Sequence, residues 1–306
     1  MAKRTLFVTG ANGFLGKYAA RHFSSLGFRV IGIGRKQPSE SDCEYWGINC
    51  WYTIPLTPQL LKTIPEKPEL IIHCAGSGSV GFSFSHTYED YLNTVNTTAA
   101  VLEYIKTSQP EARLIYPSSA AVYGAIEPVP ASEGRVPNPM SPYGVHKLIA
   151  EHLCRSYSRH FRLDITILRF FSLYGEYLKK QLIWDACGKI SQGQLNFGGD
   201  GNETRDWLHV SDAVRLMEYT SQSKEHGIQI YNGGSGVGVA TREILSDICD
   251  LLGTNRLPVF SGEGRTGDPV YLVADTTEAL RLGWKPLTSW KEGLQKYISW
   301  YKTGRF

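Results

Sequence analysis

The sequence predicts an α/β fold: a doubly wound parallel sheet followed by a smaller carboxyl-terminal α/β lobe. Five short, nearly continuous apolar runs support the sheet, because strands covered on both faces lack the alternation of half-exposed strands. Helix-length segments separate the runs, as crossovers between parallel strands require. After Gly175 this order ends, and glycine-rich turns separate shorter elements. The runs are residues 6–8, 29–33, 70–72, 114–116 and 165–168.

The bulk properties favour a single globular body. A chain of 306 residues can bury a full core, and its formal charge is only +3, with 32 basic and 29 acidic residues spread along it. This balance does not indicate a nucleic-acid or membrane partner. The first apolar run is broken by glycines, and no stretch approaches the roughly 20 apolar residues of a membrane span. We therefore expect a cytoplasmic protein.

The six cysteines are scattered along the chain, without close pairs or neighbouring histidines at metal-ligand spacing. We interpret them as reduced thiols and expect no metal site. No linker rich in proline or serine separates the two parts of the chain, so they should pack as one body with a cleft between them.

The turn after the first run has the composition of a nucleotide-binding turn. Its residues 9–16 read Thr-Gly-Ala-Asn-Gly-Phe-Leu-Gly, and a helical pattern follows to about Leu26. Glycines let the backbone approach a pyrophosphate, and the positive end of the helix favours its charge. A Rossmann-type dinucleotide site is predicted. The residues expected to bind the cofactor here are Gly10, Asn12, Gly13, Phe14, Leu15 and Gly16.

The end of the second run bears on the choice of cofactor. Enzymes that use NAD usually carry a carboxylate there for the adenosine ribose, whereas positive charge suits the 2′-phosphate of NADP. This chain has Arg35 and Lys36. The pair therefore favours NADP over NAD, although two solvated loop residues would look the same.

The fourth run leads into a candidate catalytic group. Ser119 follows it, at the carboxyl edge of the sheet where open α/β folds bind ligands. Ser141 and Pro142 can begin a helix that runs to about residue 161, and Tyr143 and Lys147 then share one face of it. A nearby ammonium favours the phenolate of a tyrosine, which can then take a proton from a carbinol during hydride transfer.

Together these motifs resemble the extended short-chain dehydrogenase/reductase family, which includes the NAD-dependent epimerases and dehydratases that modify nucleotide sugars. The resemblance covers nearly the whole chain. It implies that Ser119, Tyr143 and Lys147 are catalytic and that residues 1–172 form the dinucleotide-binding domain. It also implies that residues 173–306 mainly bind the nucleotide sugar, with some chain returning to the first domain. Apolar residues at helical spacing predict helices over residues 142–161 and from about Tyr91 to Thr107. In the family such helices often form a homodimer, although the sequence equally permits a monomer in which they only cover the sheet.

The resemblance also implies further binding residues. Cys74, Ala75, Gly76 and Phe170 would complete the cofactor site, together with Tyr143 and Lys147. Ser172 stands where the family usually has an asparagine near the pyrophosphate, which puts that contact in doubt. The residues expected to bind the substrate are Asn96, Ser119, Ser172, Arg205, Arg265 and Asp268.

The residues after Ser119 narrow the reaction. Dehydratases of the family carry an acid pair where this chain has Ala120 and Ala121, and methyl groups cannot transfer protons. Two reactions at C4 of the sugar remain. The Arg35-Lys36 pair favours an NADPH-dependent reductase of a 4-keto sugar. The alternative is a 4-epimerase similar to UDP-glucose 4-epimerase, with tightly bound NAD. A distant alternative is a nucleotide sensor without enzymatic activity.

Overall fold

The computed structural model describes residues 4–263 and 269–304. Arg265 and Asp268, which the sequence predicts to bind the substrate, lie outside the described residues. The strands are β1 (Thr5–Thr9), β2 (Arg29–Gly34), β3 (Cys50–Thr53), β4 (Leu70–His73), β5 (Arg113–Ser119), β6 (Ile165–Phe170), β7 (Ser172–Tyr174), β8 (Asn196–Phe197), β9 (Thr204–His209), β10 (Ile228–Gly233), β11 (Gly238–Ala240), β12 (Val259–Phe260) and β13 (Tyr271–Leu272).

The α-helices are α1 (Phe14–Ser25), α2 (Glu40–Tyr45), α3 (Pro58–Leu61), α4 (Val80–Ser85), α5 (Thr87–Tyr91), α6 (Thr97–Ser108), α7 (Pro142–Phe161), α8 (Gln181–Ser191), α9 (Val210–Ser221), α10 (Thr241–Leu252), α11 (Thr277–Arg281) and α12 (Trp290–Lys302). A π-helical turn, Leu92–Asn96, joins α5 to α6, and a 3-10 turn, Ala120–Val122, follows β5.

A seven-stranded parallel sheet forms the centre of the molecule, in the order β10-β6-β5-β4-β1-β2-β3. Each of the five apolar runs lies within one of its strands, and the predicted doubly wound α/β fold is confirmed. The strand residues alternate between two cores, as a sheet covered on both faces requires. Leu6 and Val8 pack with α1 and α9 on one face, whereas Phe7 packs with α6 and α7 on the other.

The chain after β6 contributes both to a second, smaller sheet and to the edge of the main sheet. β9 pairs with β7, β11 and β13 in a smaller sheet, which packs with α8, α10 and α12 around a third core. β10 instead pairs in parallel with β6 at the edge of the main sheet. The division into domains 1–172 and 173–306 stays a prediction. Within the described residues, no helix has the length and apolar composition to cross a bilayer.

Candidate active site

The glycine turn between β1 and α1 is tightly folded. Gly10 has φ +67°, which favours glycine, and a Cβ atom there would lie 2.6 Å from the backbone nitrogen of Ala75. A Cβ atom at Gly16 would lie 2.3 Å from the carbonyl oxygen of Gly10. Gly13 caps α1 without a side-chain hydrogen bond, and the first turn of α1 has no acidic residue. The helix end therefore suits an anionic pyrophosphate.

The other residues predicted for this turn surround it. Asn12 is exposed, whereas Phe14 and Leu15 are half-buried at the start of α1. The ring of Phe14 packs edge-on against Tyr18, with the ring centroids 5.5 Å apart.

The ends of β2 and β4 lie beside the glycine turn. Arg35 and Lys36 are exposed directly after β2, and the Arg35 guanidinium donates a hydrogen bond to the side-chain oxygen of Asn93 at 3.2 Å. The segment Cys74-Ala75-Gly76 follows β4, and the Ala75 amide donates to the Thr9 hydroxyl at 3.3 Å. This hydrogen bond ties the segment after β4 to the end of β1.

Ser119 and Tyr143 come from adjoining elements. Ser119 ends β5, where it pairs in register with Phe170 at the end of β6. Tyr143 lies in the first turn of α7, which begins with the Ser141 hydroxyl accepting a hydrogen bond from the Gly144 amide. Burial raises the pKa of the Tyr143 phenol to about 12, and hydrogen bonding to Ser119 opposes this shift. The phenol thus needs a positive charge nearby to act as a base near neutrality.

Lys147 provides that charge one helical turn later. Its Nζ donates to the carbonyl oxygen of Pro117 at 2.9 Å and lies 6.0 Å from the centre of the Tyr143 ring. The residue is only 7% exposed, and burial lowers the pKa of its ammonium to about 8. The ammonium is therefore mostly charged at neutral pH. Burial and the charge of Lys147 lower the pKa of neighbouring His73 to about 3, so this imidazole is neutral.

A buried ion pair supports the strands behind Ser119. Arg169 of β6 is 1% exposed, and its Nε and Nη2 donate to the Glu151 carboxylate at 3.0 and 2.7 Å. The hydroxyl of Ser118 donates to the same carboxylate at 2.6 Å. Arg169 Nη1 also donates to the hydroxyl of Tyr123, which donates to Asn232 of β10. The network ties β5, β6, α7 and β10 together directly beneath the candidate catalytic group.

The described residues expected to bind the substrate lie on separate elements. Asn96 is exposed at the end of the π-helical turn, whereas Thr94 is buried and accepts a hydrogen bond from the Ser77 amide. Ser172 is half-buried in β7. Arg205 lies on β9, and its guanidinium donates to the carbonyl oxygens of Thr204 and Val270.

Several residues that the sequence did not single out contact this site. Asn93 and Thr94 face the ends of β2 and β4, and Arg169 and Glu151 form the supporting ion pair. The negative charge of Asp90 favours a higher pKa for both Tyr143 and Lys147. The only signal for these roles in the sequence was their closeness to the motifs that it did single out.

The fold and the site define the class of protein. A parallel sheet, a glycine turn against a helix end, and a lysine beside a tyrosine at the sheet edge characterise an NAD(P)-dependent enzyme of the short-chain dehydrogenase/reductase type. The model of the NAD dependent epimerase/dehydratase family matches residues 6–234. The chain belongs to this family, and the predicted class of NAD(P)-dependent nucleotide-sugar enzyme is confirmed.

Similar proteins cover almost the whole chain. UDP-glucose 4-epimerase of Yersinia enterocolitica is 28% identical over 329 residues, which cover 97% of each chain. The solved structure of MoeE5 in complex with UDP-glucuronic acid and NAD is 28% identical, with a TM-score of 0.88 over 98% of this chain and 99% of that one. UDP-glucuronic acid 4-epimerase from Bacillus cereus, in complex with UDP-glucuronic acid and NAD, is 25% identical, with a TM-score of 0.87 and the same coverage.

Proposed function

We propose that this protein is a 4-epimerase that uses NAD to invert C4 of a UDP-hexose or UDP-hexuronic acid. The observation that carries the proposal is the grouping of Tyr143, Ser119 and the buried Lys147. Two alanines follow Ser119 at the positions where dehydratases of the family carry acids. The similarity to 4-epimerases over nearly the full length supports the same reaction.

This proposal revises the first choice made from the sequence, a reductase that uses NADPH. The comparisons fit the epimerase alternative better, and the two related complexes contain NAD. The preference for NADP rested on Arg35 and Lys36. In the structure the Arg35 guanidinium already donates to Asn93, which gives it a role without a 2′-phosphate.

The residues of the glycine turn fit a dinucleotide. Gly10 and Gly16 leave no room for a side chain where the backbone must be approached, and the uncapped start of α1 offers free N–H groups to a pyrophosphate. When bound, NAD supplies the acceptor and then the donor of a hydride. We assign its contacts to the glycine turn, the segment 74–76, Phe170, Tyr143 and Lys147.

The proton at the C4 hydroxyl is handled by the protein. Tyr143 removes it as the base and returns it to the same oxygen after the sugar has turned over. The ammonium of Lys147 stabilises the phenolate, since burial raises the pKa of Tyr143 to about 12 even with the opposing hydrogen bond to Ser119. Ser119 donates to the C4 oxygen and keeps it aligned with Tyr143. Ala120 and Ala121 place no acid beside the ring, so elimination of water lacks a proton carrier.

We assign the nucleotide sugar mainly to residues 173–306, with Arg205 facing its diphosphate. Arginine suits this group because its donors form a planar fork. Asn96, Ser172, Arg265 and Asp268 stay predictions in this role. We also propose a homodimer through the face of α4, α5 and α7, where Phe84, Tyr88 and Val145 are exposed. The six free cysteines suit a cytoplasmic protein.

The test begins with the purified protein. Denaturation followed by mass spectrometry should release NAD in amounts equal to the protein. UDP-glucose or UDP-glucuronic acid should then be converted to its C4 epimer without added cofactor, and Tyr143→Phe should abolish this conversion. A protein that arrives empty and oxidises NADPH in the presence of a 4-keto sugar would instead establish the reductase.

A further inference from the structure

Asp90 of α5 is a buried carboxylate that the proposed reaction does not use. The residue is 0% exposed, and its Oδ2 lies 2.5 Å from Nδ1 of His146. Its Oδ1 is also buried and has no hydrogen-bond partner within residues 4–263 and 269–304. Keeping an incompletely paired carboxylate out of water costs free energy. Such a cost suggests that the charge serves the neighbouring site.

His146 connects this carboxylate to the catalytic helix. It lies between Tyr143 and Lys147 in α7, is 7% exposed, and packs edge-on against the ring of Tyr91 with the centroids 5.7 Å apart. The geometry lets its Nδ1–H donate to Asp90. The side chain therefore orients the carboxylate and joins α5 to the turn of α7 that carries Tyr143 and Lys147.

The other carboxylate near Lys147 is already compensated. Glu151 lies one turn farther along α7, but the guanidinium of Arg169 binds it through two nitrogen atoms. The ammonium of Lys147 therefore meets a pair with little net charge on that side.

The remaining groups around Lys147 carry no charge near neutrality. Burial raises the pKa of the Cys74 thiol to about 12 and raises that of Cys154 further. Burial also raises the pKa of Tyr116 in β5, whose ring lies 5.0 Å from Nζ, and His73 of β4 is neutral. Among the described groups that act on Lys147, Asp90 is the carboxylate without an arginine partner.

We propose that Asp90 and His146 are positioning residues of the active site, in which the buried carboxylate of Asp90, oriented by His146, is the counter-charge of the Lys147 ammonium. The importance of Lys147 for catalysis rests on the proposed function, whereas the electrostatic pairing does not. Removing the charge of Asp90 disfavours protonated Lys147 and favours the phenolate of Tyr143. Both groups then lose their protons at lower pH.

The direct measurement is the pKa of Lys147, determined by NMR on protein labelled with ¹³C at the lysine Cε. The Lys147 signal is assigned by its absence in Lys147→Met. In Asp90→Asn we expect this pKa to fall by about one unit, at the lower end of the effect of a nearby charge. Glu89→Gln removes an exposed carboxylate from the same helix and serves as the matched control, which should leave the pKa unchanged. His146→Gln keeps the carboxylate and should lower the pKa less than Asp90→Asn.

The pH profile of turnover provides the second measurement. Both limbs of the profile should move to lower pH in Asp90→Asn, whereas a residue that only supports the fold would lower activity without moving them. If Asp90→Asn does not fold, the double variant Asp90→Leu/His146→Leu removes both partners and should show the same shift. An unchanged pKa of Lys147 in the folded variant refutes the pairing. Absence of epimerisation refutes the proposed function and leaves the NMR result decisive for Asp90.

Discussion

Replacing Glu151 by alanine leaves the guanidinium of Arg169 inside the protein without its carboxylate. Glu151 is 0% exposed and accepts hydrogen bonds from Ser118 at 2.6 Å and from two nitrogen atoms of Arg169 at 3.0 and 2.7 Å. Breaking one side of a buried ion pair typically costs 3–5 kcal/mol. Arg169 keeps its bonds to the Tyr123 hydroxyl and the Glu133 carbonyl, so we expect a loss of about 3 kcal/mol, at the lower end of that range.

Urea-induced unfolding followed by circular dichroism measures this loss. Glu69→Ala is a useful control, because Glu69 pairs with Arg4 on the surface, where both side chains are more than half exposed and such a pair contributes about 0–1 kcal/mol. The double variant Glu151→Leu/Arg169→Met removes both buried charges and should recover much of the stability. A loss below about 1 kcal/mol in Glu151→Ala, or a double variant as unstable as the single one, would refute the reasoning.

Four further results are expected. Tyr143→Phe should lower turnover by about 10²–10⁴-fold while the purified protein keeps its NAD, since only the proton transfer is lost; loss of both would indicate a folding defect. Gly16→Ala should lower NAD affinity about tenfold, equivalent to ~1.4 kcal/mol, because its Cβ would lie 2.3 Å from the Gly10 oxygen; fluorescence titration measures this. Burial lowers the pKa of Lys147 from 10.5 to about 8, so the unfolded chain binds more protons between these values and stability rises with pH there. Lys147→Met should remove this rise and stabilise most below pH 8, as thermal unfolding at several pH values will show; an equal effect at every pH would contradict it. Tyr88 is 74% exposed on α5, and Tyr88→Glu should convert the proposed dimer to a monomer in light scattering; an unchanged mass would place the interface elsewhere.

The main sheet could be predicted from the sequence where its strands are buried on both faces. The two strands without a prediction lie at the two edges of the sheet. β3 reads Cys-Trp-Tyr-Thr and is only half-buried, so it lacks a continuous apolar run. β10 alternates apolar and polar residues, and it joins β6 after a long excursion of the chain through the second sheet. Both strands form because of their edge position and the chain topology. These depend on the whole fold, so the local sequence did not predict them.

The helices show a similar contrast. The predicted helix at residues 142–161 matches α7, because Ser141 and Pro142 are strong local signals for its start. The apolar pattern from Tyr91 to Thr107 predicted one helix, but the structure has a π-helical turn before α6. This turn changes the angular position of the following residues. Asn93 and Thr94 therefore contact the strand ends, whereas Asn96 is exposed.

Ser119, Tyr143 and Lys147 could be predicted as a catalytic group because they belong to short motifs with fixed spacing. The residues that support this group could not be predicted, since their contacts with it depend on tertiary structure. Asp90 and His146 are separated by 56 positions, and Arg169 of β6 binds Glu151 of α7. Their charges alone are also compatible with an ordinary surface position, so only the fold distinguishes them.

The hydrogen bonds of Asn232 have a consequence for the order of events during synthesis on the ribosome. Its side chain accepts from Tyr123 and donates to the carbonyl oxygens of Ala131 and Asp275. The segment that follows β5 thus gains its hydrogen bonds to Asn232 only after β10 has been synthesised. A nascent chain that ends near residue 172 holds Ser119, Tyr143 and Lys147 but lacks these anchors. The segment between β5 and α7 is therefore fixed to the rest of the fold only late in translation.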